Sequence, residues 1–125
     1  MKDVRTDNAP APVGPYSQAM VSGKFLFCSG QVALDAKTGD MVGATAAAQA
    51  EQVLKNLEAV LIAGGASMDR VVKTLIFMTD LKAFAEVNAV YEKAFRGHKP
   101  ARSTVQVPAL PKGALVEIEC IAELG

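Results

Sequence analysis

At 125 residues the chain suits one domain, residues 1–125, able to bury roughly two thirds of its unfolded surface without staples. Thirteen basic and thirteen acidic residues give a formal net charge of zero and a pI near 6.6, which excludes a global basic field for nucleic acid or anionic membrane. Neither a signal-peptide-like start nor a membrane-length apolar run is present, and the two cysteines, Cys28 and Cys120, sit in apolar segments as expected of free thiols in a reducing, cytoplasmic setting.

Taken in chain order, Ala9 to Pro15 holds three prolines and a glycine, so it reads as an extended lead-in that delivers Tyr16 to the first strand. Tyr16 to Val21 and Lys24 to Ser29 flank Ser22-Gly23, a two-residue hairpin signal, and Gly30-Gln31 are expected to break the second strand. Asp35 to Asp40 is a further turn. From Thr45 to Ala63 the apolar residues Ala46, Ala50, Val53, Leu54, Leu57, Val60 and Leu61 recur at steps of three and four, which predicts an amphipathic helix stopped by Gly64-Gly65. Val71 to Thr79 is apolar on both faces, as in a central strand. Asp80 is the expected N-cap of a second helix from Leu81 to Phe95, ended by Gly97.

The last two strands carry the chemistry. Side chains alternate, so Arg102, Thr104 and Gln106 share one face of Ala101 to Val107, while Glu117 and Glu119 oppose Val116, Ile118, Cys120 and Ala122 in Leu115 to Ala122. The connection Pro108 to Gly113 is too short for a crossover helix, which predicts that the two strands are adjacent and antiparallel. Arg102 and Glu117 would then converge above one sheet face. The resulting fold class is α+β: a mixed sheet with two helices on one face and a second face, bearing Arg102, Thr104, Glu117 and Glu119, left for a neighbouring copy to cover. A charge drawn out of water needs a partner or a ligand, so this pair marks a ligand site or a subunit interface.

Asn8-Ala9-Pro10, Val13 to Gln18, Ser29-Gly30-Gln31, Val72-Lys73-Thr74, Asp80-Leu81, Phe84-Ala85, Val87-Asn88, Tyr91, Pro100 to Ser103, Leu110-Pro111 and Val116 to Glu119 together resemble the RidA/YjgF family of reactive-intermediate deaminases, almost end to end. The resemblance implies a chorismate-mutase-like fold, a homotrimer with sites between subunits, and hydrolysis of 2-imino acids such as 2-iminobutanoate and 2-iminopropanoate to 2-oxo acids and ammonia. It implies neither metal nor organic cofactor, and the neutral charge, not the resemblance, argues against a nucleic-acid or membrane partner. Arg102 would bind the substrate carboxylate through paired donors that a lysine does not offer. Glu117 would orient or deprotonate the attacking water, Tyr16 would close the pocket from an adjoining subunit, Ser29 and Gly30 would line it, and Asn88 would support it. Thr104 departs from the cysteine common in relatives; a main-chain contact there would tolerate the change.

Plainer readings stand beside these. Arg102 with Glu117 could also be an interface ion pair, Tyr16 a core or interface aromatic, and Asn88 a satisfied helix polar residue. Ser29 has no histidine nearby in sequence to make it a nucleophile, and the single histidine, His98, belongs to a loop or helix end. A non-catalytic binding module for small carboxylates such as 2-oxo acids is the alternative to the enzyme. A ribonuclease reading finds no basic stripe to support it.

Overall fold

The computed structural model describes residues 1–125. Its six strands are β1 (Lys2–Val4), β2 (Ala19–Ser22), β3 (Phe25–Gln31), β4 (Val71–Met78), β5 (Ala101–Gln106) and β6 (Val116–Glu123), and its helices are α1 (Ala46–Ala63) and α2 (Phe84–Phe95). They form one sheet in the order β1-β2-β3-β6-β4-β5, antiparallel throughout except for the parallel pair β4–β5. The helical crossovers from β3 to β4 and from β4 to β5 step along the sheet in the same direction. Right-handed connections therefore put both helices on one face.

That face holds the core. Leu26, Cys28, Ile76, Met78, Val116, Ile118 and Cys120 from the sheet pack with Val53, Leu57, Val60 and Leu61 of α1 and Val87, Tyr91 and Phe95 of α2. The sheet's other face carries Phe25, Phe27 and Val105, each about two-fifths exposed, with nothing in the chain over them. No helix is long and apolar enough to cross a membrane.

Most expected elements are present, with local differences that have physical causes. β1 was not foreseen, since Lys2-Asp3-Val4 is too short and polar to signal a strand; it is held by pairing with β2. Thr45 stands just outside α1 as its N-cap, its hydroxyl accepting from the Ala48 amide. Asp80 caps a single 3₁₀ turn, Leu81 to Ala83, that leads into α2, and the helix ends on Arg96 in the left-handed region before Gly97.

Three expectations are corrected. Tyr16 lies in the loop before β2 instead of on the strand, and Gly30-Gln31 do not break β3, which continues to Gln31 through a register shift. Cys28 pairs with Cys120 and Gln31 with Ile118, so Ser29 and Gly30 together oppose Glu119 alone, the count of a β-bulge.

The third correction is larger: β5 and β6 are not neighbours, because β4 lies between them and pairs parallel with β5. β4 also decides the relative phase of the two flanking strands, since residues paired across a ladder point to the same side. Thr74 pairs with Arg102 and Ile76 with Thr104, whereas Phe77 pairs with Glu117 and Leu75 with Glu119. Thr74 and Ile76 are buried under the helices, so Arg102 and Thr104 share the helix-covered face at the sheet edge. Glu117 and Glu119 are on the open face. Within one chain the arginine and the glutamate do not converge.

Candidate functional site

The expected site residues divide into two half-sites. One is a cavity of about 480 Å³ whose wall includes Tyr16, Ser29, Gly30, Gln31, Lys112, Glu117 and Glu119. The other, about 310 Å³, lies at the sheet edge against α2 and includes Asn88, Tyr91, His98, Lys99 and Arg102. A roomier hollow of about 540 Å³ between α1 and α2 is floored by Leu54 and Met68, and none of the expected site residues reaches it.

In the first half-site Glu117 is placed by β6 and partly buried. Burial pushes its carboxyl above the usual carboxylate range, and the Glu119 carboxylate adds to the rise. No cation pairs with it in the chain, whose ion pairs are Arg70 with Glu123 and Arg96 with Glu58. A carboxylate of raised pKa with open space before it suits a proton acceptor. Gly30 lies directly beneath: a methyl built on its Cα would stand 2.8 Å from the carboxyl carbon of Glu117 and 3.0 Å from its Cγ. A side chain at this position would displace the Glu117 carboxyl group.

The wall around Glu117 is tied down from several directions. The Ser29 hydroxyl donates to the Ser17 carbonyl at 2.6 Å and the Ser29 amide to the Gln18 carbonyl at 2.9 Å, which fastens the Tyr16 loop to the bulge. Ser29 therefore lines the cavity while its proton is spent on structure. The Tyr16 ring is half exposed, its hydroxyl accepting from the Val13 amide at 3.3 Å. Gln18, buried, donates to the carbonyls of Thr6 and Pro10 and accepts from the Thr6 amide at 2.7 Å, so it anchors the proline-rich lead-in. Sequence reasoning gave Gln18 no role, since a strand glutamine carries no signal of burial. On α1, Asn56 donates to the carbonyls of Val32 and Leu34, and Gln49 links Gly43 to the Leu115 amide. The helix thus fixes both the far wall and the start of β6.

The second half-site is built around a cation. Arg102 has no carboxylate partner; its guanidinium carbon lies 5.0 Å from the centre of the Tyr91 ring and 5.6 Å from that of Phe84. Phe84, Asn88 and Tyr91 fall at i, i+4 and i+7 on α2, one helical face turned to the edge strand. Asn88 thereby lines the Arg102 cavity. Thr104 lines neither cavity, and its hydroxyl is buried without a hydrogen-bond partner. His98 is close by, its Nε2 2.6 Å from the Val71 carbonyl oxygen, where it secures the start of β4.

The cysteines belong to neither half. Cys28 and Cys120 face each other across β3 and β6, both buried and free. The neighbouring Cys28 thiol, and then burial, raise the Cys120 thiol far above its ordinary value, so it is not a nucleophile in waiting.

Comparison with known proteins agrees with this fold. The family model described as endoribonuclease L-PSP matches residues 6–124. The chain is 52% identical to protein DfrA of Myxococcus xanthus, over 97% of this chain and 94% of that one. It is 44% identical to the 2-iminobutanoate/2-iminopropanoate deaminase of Mus musculus, over 99% and 92%. The crystal structure of RidA from the Antarctic bacterium Psychrobacter sp. PAMC 21119 superposes with a TM-score of 0.96 at 44% identity, covering 99% of this chain and 100% of that one. With its sheet order, helix placement and near full-length matches all in accord, the chain belongs to the RidA/YjgF family, whose family model bears the endoribonuclease L-PSP description.

Proposed function

We propose that this protein hydrolyses reactive 2-imino acids, 2-iminobutanoate and 2-iminopropanoate among them, to 2-oxo acids and ammonia, in sites completed between copies of the chain. The observation that carries the reading is the separation of an unpaired arginine and a raised-pKa glutamate onto opposite faces of one sheet. Two copies that bury the exposed Phe25, Phe27 and Val105 face bring the Arg102 half of one against the Glu117 half of the next. The homotrimer expected from the resemblance is such a closed arrangement.

In that cleft Arg102 of one copy holds the substrate carboxylate with two parallel N–H bonds. Glu117 of the neighbouring copy accepts a proton from water as its oxygen adds to C2 of the protonated imine, forming a carbinolamine. Glu117 then passes the proton to the nitrogen, the C–N bond breaks to release ammonia, and the C2 hydroxyl gives its proton back to Glu117 as the carbonyl forms, from which the ammonia takes it to leave as ammonium. A protonated imine is already electrophilic, so positioning and one proton acceptor suffice. Tyr16 covers the bound acid.

The test is release of 2-oxobutanoate and ammonia from threonine by a dehydratase, with and without this protein. Acceleration that disappears with Arg102→Ala supports the hydrolase. Binding of 2-oxobutanoate without acceleration would instead make the cleft a carboxylate-binding module.

A further inference from the structure

Arg102 stands on an aromatic platform. We propose that Tyr91, locked by Thr74 and assisted by Phe84, is the positioning device that presents the Arg102 guanidinium to a ligand carboxylate. The inference rests on the reading of Arg102 as carboxylate anchor, and it assigns a purpose to three residues outside that reading.

An arginine on an edge strand has four rotatable side-chain bonds and loses much of its freedom when a ligand fixes it. A carboxylate neighbour would hold it still but would occupy the same N–H groups that the ligand needs. Here the holding groups are ring faces, 5.0 Å and 5.6 Å from the guanidinium carbon, which attract the cation without accepting hydrogen bonds in the way a carboxylate would. Neither of the chain's ion pairs involves Arg102.

The platform is itself fixed. The Tyr91 hydroxyl and the Thr74 hydroxyl are 2.6 Å apart, with Tyr91 7% and Thr74 1% exposed. Thr74 is also the residue paired with Arg102 across the parallel ladder, so strand, hydroxyl pair and ring close a loop around the arginine. Tyr91 also packs against the tilted ring of Phe95, with centroids 4.5 Å apart. A buried hydroxyl needs a partner, and the Thr74 position supplies it without polar contact to the arginine.

The test uses the full-length oligomer with two readouts: calorimetric affinity for 2-oxobutanoate, and the Nε–Hε resonance of Arg102, assigned with Arg102→Lys, which ring currents displace whether or not ligand is present. Tyr91→Leu is expected to weaken 2-oxobutanoate about tenfold and to return the resonance toward its random-coil position. Thr74→Val, which keeps volume and removes the lock, should move both readouts part of the way, and Thr74→Ser should restore them. Phe84→Leu, at a 39% exposed position, tests the second ring where Tyr91→Leu does not fold. Wild-type affinity and an unmoved resonance in the folded Tyr91, Thr74 and Phe84 variants would overturn the proposal while leaving the anchor intact. Failure of the wild type itself to bind 2-oxobutanoate, or wild-type binding by Arg102→Ala, would overturn the anchor reading and the platform with it.

Discussion

The Glu117 carboxyl group occupies the space that a side chain at Gly30 would take, its carbon 2.8 Å from where a Cβ would stand. The β-bulge of β3 brings Gly30 beside β6 at that point, so the bulge and the missing side chain act together to seat the carboxylate. Gly30→Ala should push Glu117 aside by a fraction of an ångström to an ångström. We expect kcat for imine hydrolysis to fall on the order of 100-fold, with stability reduced by about 1 kcal/mol because a side chain, not backbone, must yield. Steady-state kinetics beside a thermal melt checks both; wild-type kcat would show that the close fit has no catalytic use.

Arg102 should not be replaceable by lysine. Arg102→Ala removes both the paired donors and the charge, and Arg102→Lys restores only the charge. Both variants are expected to fold and assemble, with kcat/KM lowered at least about 100-fold, the scale of a lost charge-assisted pair of hydrogen bonds. Recovery above a tenth of wild-type activity by the lysine variant would argue against bidentate binding.

If each cleft draws Arg102 from one copy and Glu117 from another, two inactive variants should rescue each other. Unfolding and refolding Arg102→Ala together with Glu117→Gln yields mixed oligomers in which some clefts have both native groups. Activity should reappear on mixing, at a fraction of the wild-type level. A mixture as inactive as its components, with subunit exchange confirmed by mass, would place both residues in one chain's site.

Glu117 also makes a prediction about pH. Its carboxyl is raised in the folded protein, so between the ordinary carboxylate pKa and the raised one the folded state binds more protons than the unfolded state. Stability therefore falls as pH rises through that window, and the loss is complete above the folded pKa. Glu117→Gln removes the dependence: its melting temperature should exceed that of the wild type at pH 7 and approach it near pH 4. Equal differences at both pH values would mean that the Glu117 carboxyl is not raised in the folded protein.

Thr104 carries a hydroxyl that is buried and unpartnered. Thr104→Val keeps the shape and removes the orphan group, so stability should hold or rise by about 1 kcal/mol, and Thr104→Cys, with its weak donor, should behave alike. Deaminase activity is expected to stay within about threefold, a prediction resting on the absence of the side chain from either cavity. A collapse of activity in both variants would assign the hydroxyl a direct part in the cleft.

The face that each strand residue shows was legible in the sequence, and the arrangement of the strands was not. Alternation along a strand depends on backbone geometry alone, so Glu117 opposite Ile118 and Arg102 opposite Ser103 followed from spacing. The helix at Ala46–Ala63, its Thr45 start and the Asp80 cap were written in local periodicity and capping chemistry. Which strand lies beside which is a long-range matter. The short connection from β5 to β6 suggested a hairpin, yet β4, thirty residues earlier, comes between them because the crossover through α2 pairs it with β5. That single insertion sets the phase of one strand against the other and turns a supposed ion pair into two half-sites facing different ways. Side-chain alternation belongs to each strand by itself; the relative phase of two strands exists only once a third is hydrogen-bonded between them.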